Sequence, residues 1–277
     1  MFGIPASELA LLAAGFLLAG GVMGFFAGLF GVGGGAIIVP VLYEAFRLMG
    51  VPEEVRMPLC VGTSLAIIIP TSIRSYRAHK AKGSVDLAVL RQWAVPVVLG
   101  VVAGGLLARY APPAVFKLAF IAIAGASATK LLFGRESWRI AADLPAGLAM
   151  RGYGLLIGLG SALMGIGGGQ IANLLMTLHG RPIHQAVSTS AGLGVIISIP
   201  GAIGYVYAGW PQMAVLPPLS LGYVSLIGFA LVVPTSMGLA PVGARLAHRL
   251  NKRQLEVAFG LFLAAVSLRF LWDMLAR

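Results

Sequence analysis

Long apolar runs fall near residues 8–29, 58–78, 87–108, 114–133, 147–164, 185–208, 217–239 and 255–273. An α-helix needs about 20 apolar residues to cross the hydrocarbon core of a bilayer, so each of these is a candidate crossing. Two shorter runs, 35–48 and 169–178, each follow a Gly-rich break. They are too short to cross comfortably and predict half-helices, tilted segments or parts of re-entrant elements. The pattern therefore predicts an all-α fold: a polytopic membrane helix bundle of about eight to ten segments with Gly-interrupted helices.

The chain also resembles itself. Residues 19–40, AGGVMGFFAGLFGVGGGAIIVP, match residues 153–175, YGLLIGLGSALMGIGGGQIANLL, so that Gly31-Val32-Gly33-Gly34-Gly35 aligns with Gly165-Ile166-Gly167-Gly168-Gly169. Gly62-Thr63-Ser64-Leu65 then aligns with Ser188-Thr189-Ser190-Ala191, and each is followed by an apolar run and a proline, Pro70 or Pro200. Two halves, 1–140 and 141–277, are expected. With about five segments each, an odd number, they must insert in opposite orientations: an inverted repeat, with any substrate site near the midplane where interrupted helices meet.

Composition and charge narrow the class. The chain has 277 residues, 58% hydrophobic and 10% charged, with a net charge of +11 and a mean hydropathy of +0.93. An ordinary soluble enzyme carries about 25% charged residues, so that class is excluded. The basic residues are concentrated in three stretches: 74–91 (Arg74, Arg77, Lys80, Lys82, Arg91), 130–151 (Lys130, Arg135, Arg139, Arg151) and 245–253 (Arg245, Arg249, Lys252, Arg253). Residues 208–217 hold none. Such clustering reads as cytoplasmic loops of a multi-pass cell-membrane protein of bacterial inner-membrane type, not as a nucleic-acid surface. Counting ten segments puts all three stretches on one side and both termini on the other. The N-terminus lacks a basic n-region and reads as the first span rather than a cleaved signal. The single Cys60 precludes an intramolecular disulfide and reads as an apolar filler.

The chemistry on offer is neutral. Consecutive glycines leave backbone N–H groups unobstructed, and a helix starting at the last of them adds unpaired donors and a partial positive charge. That arrangement suits an anion. The candidate substrate-binding residues are Gly33, Gly34, Gly35, Thr63, Ser64, Gly167, Gly168, Gly169, Gln170, Asn173, Thr189 and Ser190. Two readings stand for the hydroxyls, anion contact or helix–helix bonding. The ladders Gly20/Gly24/Gly28 and Gly100/Gly104 read as close helix packing, and they permit a homodimer without requiring one. No acidic, His or Cys cluster has metal-site spacing, and no cofactor is expected. His79, His179, His184 and His248 read as interfacial residues. Arg181 and His184 can line an entrance, while Arg74 and Arg77 serve equally as an inner mouth or as snorkelling anchors. Glu44 is the one acidic residue inside an apolar segment and a weak candidate for ion coupling.

On these residues the chain resembles the sulfite exporter TauE/SafE (TSUP) family of membrane permeases. The resembling pieces are GLFGVGGGAIIVP, VGTSLAIIIPTSIRSYRAHKAKGSVDL, SALMGIGGGQIANLLMTLHGRPIHQAVSTSA and PVGARLAHRLNKRQLEVAFGLFL, in order along almost the whole chain. Two departures stand out: Ser188 replaces the first Gly of the GTS motif in the second copy, and GSVD replaces the more usual GNVD. The resemblance implies no enzyme but a transporter whose partners are the lipid bilayer and a small sulfur-containing anion such as sulfite or an organosulfonate. An inside-negative potential favours anion exit by about 2.3 kcal/mol per charge per 100 mV, so export needs no coupling ion against a small gradient. The competing readings are a cation-coupled anion importer, an integral membrane enzyme acting on a lipid-linked substrate, and an assembly scaffold.

Overall fold

A computed structural model describes residues 6–30, 35–81, 83–134, 138–247 and 251–275. The described residues form ten α-helices: α1 (Ala6–Phe30), α2 (Gly35–Leu48), α3 (Glu53–Ala81), α4 (Leu87–Tyr110), α5 (Pro113–Phe133), α6 (Gly147–Met164), α7 (Gly169–Leu178), α8 (Ile183–Gly209), α9 (Leu226–Ala247) and α10 (Lys252–Leu275). Six of them, α3, α4, α5, α6, α8 and α10, are long and apolar enough to cross a membrane. The molecule is an all-α membrane bundle.

The local chemistry sets the ends. Asp86 caps α4, its carboxylate accepting from the N–H groups of Ala88 and Val89 at 3.1 Å each. Pro113 opens α5, where its missing N–H costs nothing. Gly165 ends α6 in the left-handed conformation at φ 68°. The apolar run 217–239 begins differently from its hydropathy: a two-stranded antiparallel ribbon pairs Ser220 with Ser225 and Leu221 with Val224, so α9 starts only at Leu226 and runs on to Ala247.

Helix directions follow from neighbouring residues. The long central helices α3 and α8 run antiparallel: His79 bonds Ser188 at 3.1 Å, Ser72 lies at Gly194, Leu65 at Gly201 and Tyr205 at Gly62. α5 and α10 are antiparallel too, with Phe120 against Phe270 and Leu132 against Gly260. α1 runs parallel to α9, with Phe16 at Gly228 and Gly20 at Val232. α4 runs parallel to α6; the Trp93 indole donates to the Met150 carbonyl at 3.0 Å and Gly104 meets Ala162. These contacts bring the C-terminal ends of α3, α5 and α9 to one end of the bundle, together with the three basic stretches. The C-terminal ends of α2, α4, α8 and α10 lie at the other.

Burial sorts the bundle into core and jacket. α3 and α8 are enclosed along most of their length, while α4, α5 and α10 turn one face outward. That face carries exposed leucines such as Leu99, Leu106, Leu118, Leu261 and Leu268, the surface a hydrocarbon solvent requires. Close approach uses glycine where helices touch backbone to backbone: a Cβ on Gly20 would sit 2.9 Å from Val232 Cα, and one on Gly158 would sit 2.9 Å from Val101 N. Gly20, Gly24, Gly100 and Gly104 therefore serve packing inside one chain, against α9 and α6, and are not a face open to a second copy.

Candidate substrate seat at the helix breaks

The break between α6 and α7 is built from two left-handed glycines, Gly165 at φ 68° and Gly168 at φ 74°. Only glycine takes that conformation without strain. The turn sits against the middle of α3 and α8: a Cβ on Gly165 would lie 2.9 Å from Val61 Cα, one on Gly167 2.9 Å from Ile68 Cγ2 and 3.2 Å from Gly194 Cα. The first residue of α2, Gly35, abuts the same turn, its would-be Cβ 2.8 Å from Ile166 Cα. The starts of the two short helices are thus brought together in the buried interior. Of the first-half glycines, Gly33 and Gly34 lie outside the described residues.

Around this point several polar groups have no partner. No side chain caps the N–H groups of the first turn of α7 at Gly168. Gln170, in that turn, is 5% exposed, and both of its amide atoms lack a hydrogen-bond partner. Ser161 on α6 is fully buried, its hydroxyl is unpartnered, and it lies 3.5 Å from where a Cβ on Gly168 would be. Buried polar groups are nearly always satisfied, which sets this cluster apart. Ser161 escapes sequence comparison of the two halves because its counterpart is Ala27.

The predicted hydroxyls divide differently. Ser64 donates to the Gly165 carbonyl at 2.6 Å, tying α3 to the turn. Ser190 donates to Asn173 Oδ1 at 2.7 Å, tying α8 to α7. Both donor hydrogens are engaged within the protein. Thr63 Oγ1 accepts from the N–H of Ser225, and Thr189 Oγ1 from that of Asp86, each at 2.9 Å. Ser225 and Asp86 immediately precede α9 and α4, so the two threonines hold equivalent helix starts at opposite ends. Along the antiparallel α3–α8 pair they lie about 14 residues or about 21 Å apart and do not converge.

Ionisable groups gather at the two ends. Lys117, 2% exposed, bonds Glu53 Oε1 at 2.9 Å and also Asp273, which accepts from Tyr43 of α2 at 2.9 Å. Glu44 pairs with Arg47 at 2.6 Å and Arg269 at 3.0 Å in the same cluster, half-exposed, so it is no isolated intramembrane acid. At the basic end Lys130 bonds Thr177 of α7, Arg181 pairs with Asp143 at 2.9 Å, and the buried His179 contacts the Leu175 carbonyl and the Tyr153 hydroxyl. α5 thus fastens the outer end of each short helix with one lysine, α2 through Lys117 and α7 through Lys130. His248 lies outside the described residues.

A multi-pass bundle whose two short, broken helices start side by side in its interior, with charge kept to its ends, is the architecture of a membrane permease. The family described as sulfite exporter TauE/SafE matches residues 16–270, and the chain belongs to it. A protein of Haemophilus influenzae named "Probable membrane transporter protein" is 32% identical over 252 residues, 91% of this chain and 95% of that one. A "Probable membrane transporter protein" of Methanocaldococcus jannaschii is 25% identical over 269 residues, 94% of this chain and 96% of that one. No solved structure matches. The chain is a transporter and not an enzyme.

Proposed function

We propose that this permease moves small sulfur-containing anions, sulfite or organosulfonates, out of the cell by alternating access. The observation that carries the reading is the meeting of the α2 start with the α6–α7 turn beside the unpartnered Gln170 and Ser161. Backbone donors of Gly167, Gly168, Gly169 and Gln170 face the anion, joined by Gly35 from the first half.

The pairing of helices supports two inverted halves, 1–140 and 141–277. Exchanging α1–α5 with α6–α10 turns the α1–α9 pair into α6–α4, both parallel, and maps the antiparallel α3–α8 and α5–α10 pairs onto themselves. The matched threonine ties of Thr63 and Thr189 obey the same exchange. In such an arrangement one break faces each side, and rocking of the halves exposes a fixed seat alternately.

Transport driven by voltage alone fits the absence of Lys, Arg, His, Asp and Glu from the stretches 9–43, 57–73, 152–178 and 185–244. Purified protein in vesicles is the test: efflux of sulfite or methanesulfonate should follow an imposed potential with proton and sodium gradients clamped. Efflux blind to voltage but driven by a pH or sodium step overturns uncoupled export and establishes the coupled importer. Failure of any sulfur oxyanion to move or compete overturns the substrate assignment.

A further inference from the structure

We infer that the basic end of the bundle carries an oxyanion capture site at the end of α7, formed by Arg181, Arg139 and Lys130, where a substrate anion is held before it moves on to the helix breaks. This rests on the anion-permease reading above and adds a second, charged subsite to it.

The three cations converge on one short stretch, residues 177–181. Lys130 of α5 bonds the Thr177 hydroxyl. Arg139, between α5 and α6, brings Nη1 to 3.8 Å from where a Cβ on Gly180 would be. Arg181 follows the end of α7. Its Nη2 pairs with Asp143 at 2.9 Å, while its Nε is buried and has no hydrogen-bond partner. A guanidinium edge offers Nε–H and Nη–H as a fork matched to two oxygens of one oxyanion. Asp143, whose side chain is 70% exposed, engages only the Nη2 side of that fork. A desolvated cationic donor left without a bond is rare, and an anion arriving from the water beyond Asp143 supplies the missing acceptor.

The ordinary uses of such cations do not account for the arrangement. A helix C-terminus attracts positive charge. Here, however, the end carbonyls of α7 are taken by the backbone N–H groups of His179, Gly180 and Arg181 and by the His179 ring, not by these three side chains. Nor is the charge neutralised locally. Among the described residues Lys130, Arg139, Arg181 and Arg253 meet two carboxylates, Asp143 and Glu256, the latter facing Lys130 and 3.8 Å from Arg253. The other end of the bundle is the opposite case: Lys117, beside Tyr43 of α2, is held by both Glu53 and Asp273. The surplus beside the short helices therefore gives the route a side on which anions gather. Thr177 stands seven residues, about 10 Å along α7, from Gln170. An anion held at Arg181 is thus one helix length short of the proposed seat.

The experiment compares the full-length parent with Arg181→Gln, Arg139→Gln and Arg181→Lys in inside-out membrane vesicles, where added methanesulfonate or sulfite meets the basic end. Arg181→Gln should raise KM about five- to tenfold with the maximal rate kept, the low end for a charge-assisted bond because the side chain is 32% exposed. Arg139→Gln should raise it in the same direction, and Arg181→Lys, which keeps the charge but not the fork, should recover part of the loss. Added salt should raise the KM of the parent more than that of Arg181→Gln. Thermal unfolding without anion should be the same for parent and variants, while the stabilisation given by methanesulfonate should shrink in Arg181→Gln. Parent-like KM and salt dependence in both Gln variants, or variants that lose stability without anion while KM holds, overturn the capture site and leave the permease reading standing. A parent with no saturable flux of methanesulfonate or sulfite overturns both.

Discussion

Two serines 97 residues apart in sequence test the assignment of the seat by failing in opposite ways. Ser64→Ala removes the donor that satisfies the Gly165 carbonyl at 2.6 Å, in a site where Ser64 is 0% exposed. An orphaned buried carbonyl costs about 1–3 kcal/mol, so this variant loses stability of that order. Ser161→Ala deletes a buried hydroxyl that has no hydrogen-bond partner within the protein. Its burial is itself unfavourable, so stability stays level or rises. Affinity behaves the other way. A hydrogen bond to a charged group is worth about 1.5–3 kcal/mol, which puts the loss for Ser161→Ala at about 10–150-fold in Kd. Thermal unfolding of the detergent-solubilised protein, with and without methanesulfonate, reads both quantities on one sample, and vesicle flux supplies KM. An unchanged KM in Ser161→Ala refutes the seat, and a Ser64→Ala protein as stable as the parent refutes the structural role of the tie.

Other outcomes follow from the same geometry. Gly168→Leu should abolish flux, since φ 74° strains any side chain and the position is walled by Ile197, with Ile157 3.4 Å and Ser161 3.5 Å from a Cβ; immunoblotting of membranes separates lost transport from lost insertion. Lys117→Met should destabilise by about 1–3 kcal/mol, below the usual figure for a broken buried pair because Glu53 and Asp273 keep 24% and 21% exposure and Arg269 lies 3.5 Å from Asp273. Adding Asp273→Leu should recover part of that loss in the same unfolding assay, and a double variant no better than the single one would show that the lysine acts through packing instead.

Helix number, the Gly break between α6 and α7, the basic end and the neutral middle were all legible from residue order. Each depends on local quantities: apolar length against bilayer thickness, glycine's freedom at positive φ, and the cost of charge in hydrocarbon. Hydropathy misjudged the start of α9, because Leu219–Ser225 are apolar enough for a span yet are held as a ribbon, with Leu226 N–H on the Leu219 carbonyl at 2.9 Å and Tyr223 N–H on the Tyr205 carbonyl at 3.1 Å. Tertiary structure alone decided which polar groups are free. Ser64 and Ser161 look alike in an apolar run, but the crossing of α3 with the α6–α7 turn occupies the first, 101 residues from its acceptor, and leaves the second bare. Likewise Lys117 reads as a stray cation until α3, α5 and α10 assemble around it. Hydrophobic periodicity specifies that helices form and which faces are dry; the partner of each buried hydroxyl or charge depends on how distant helices cross, which no local pattern encodes.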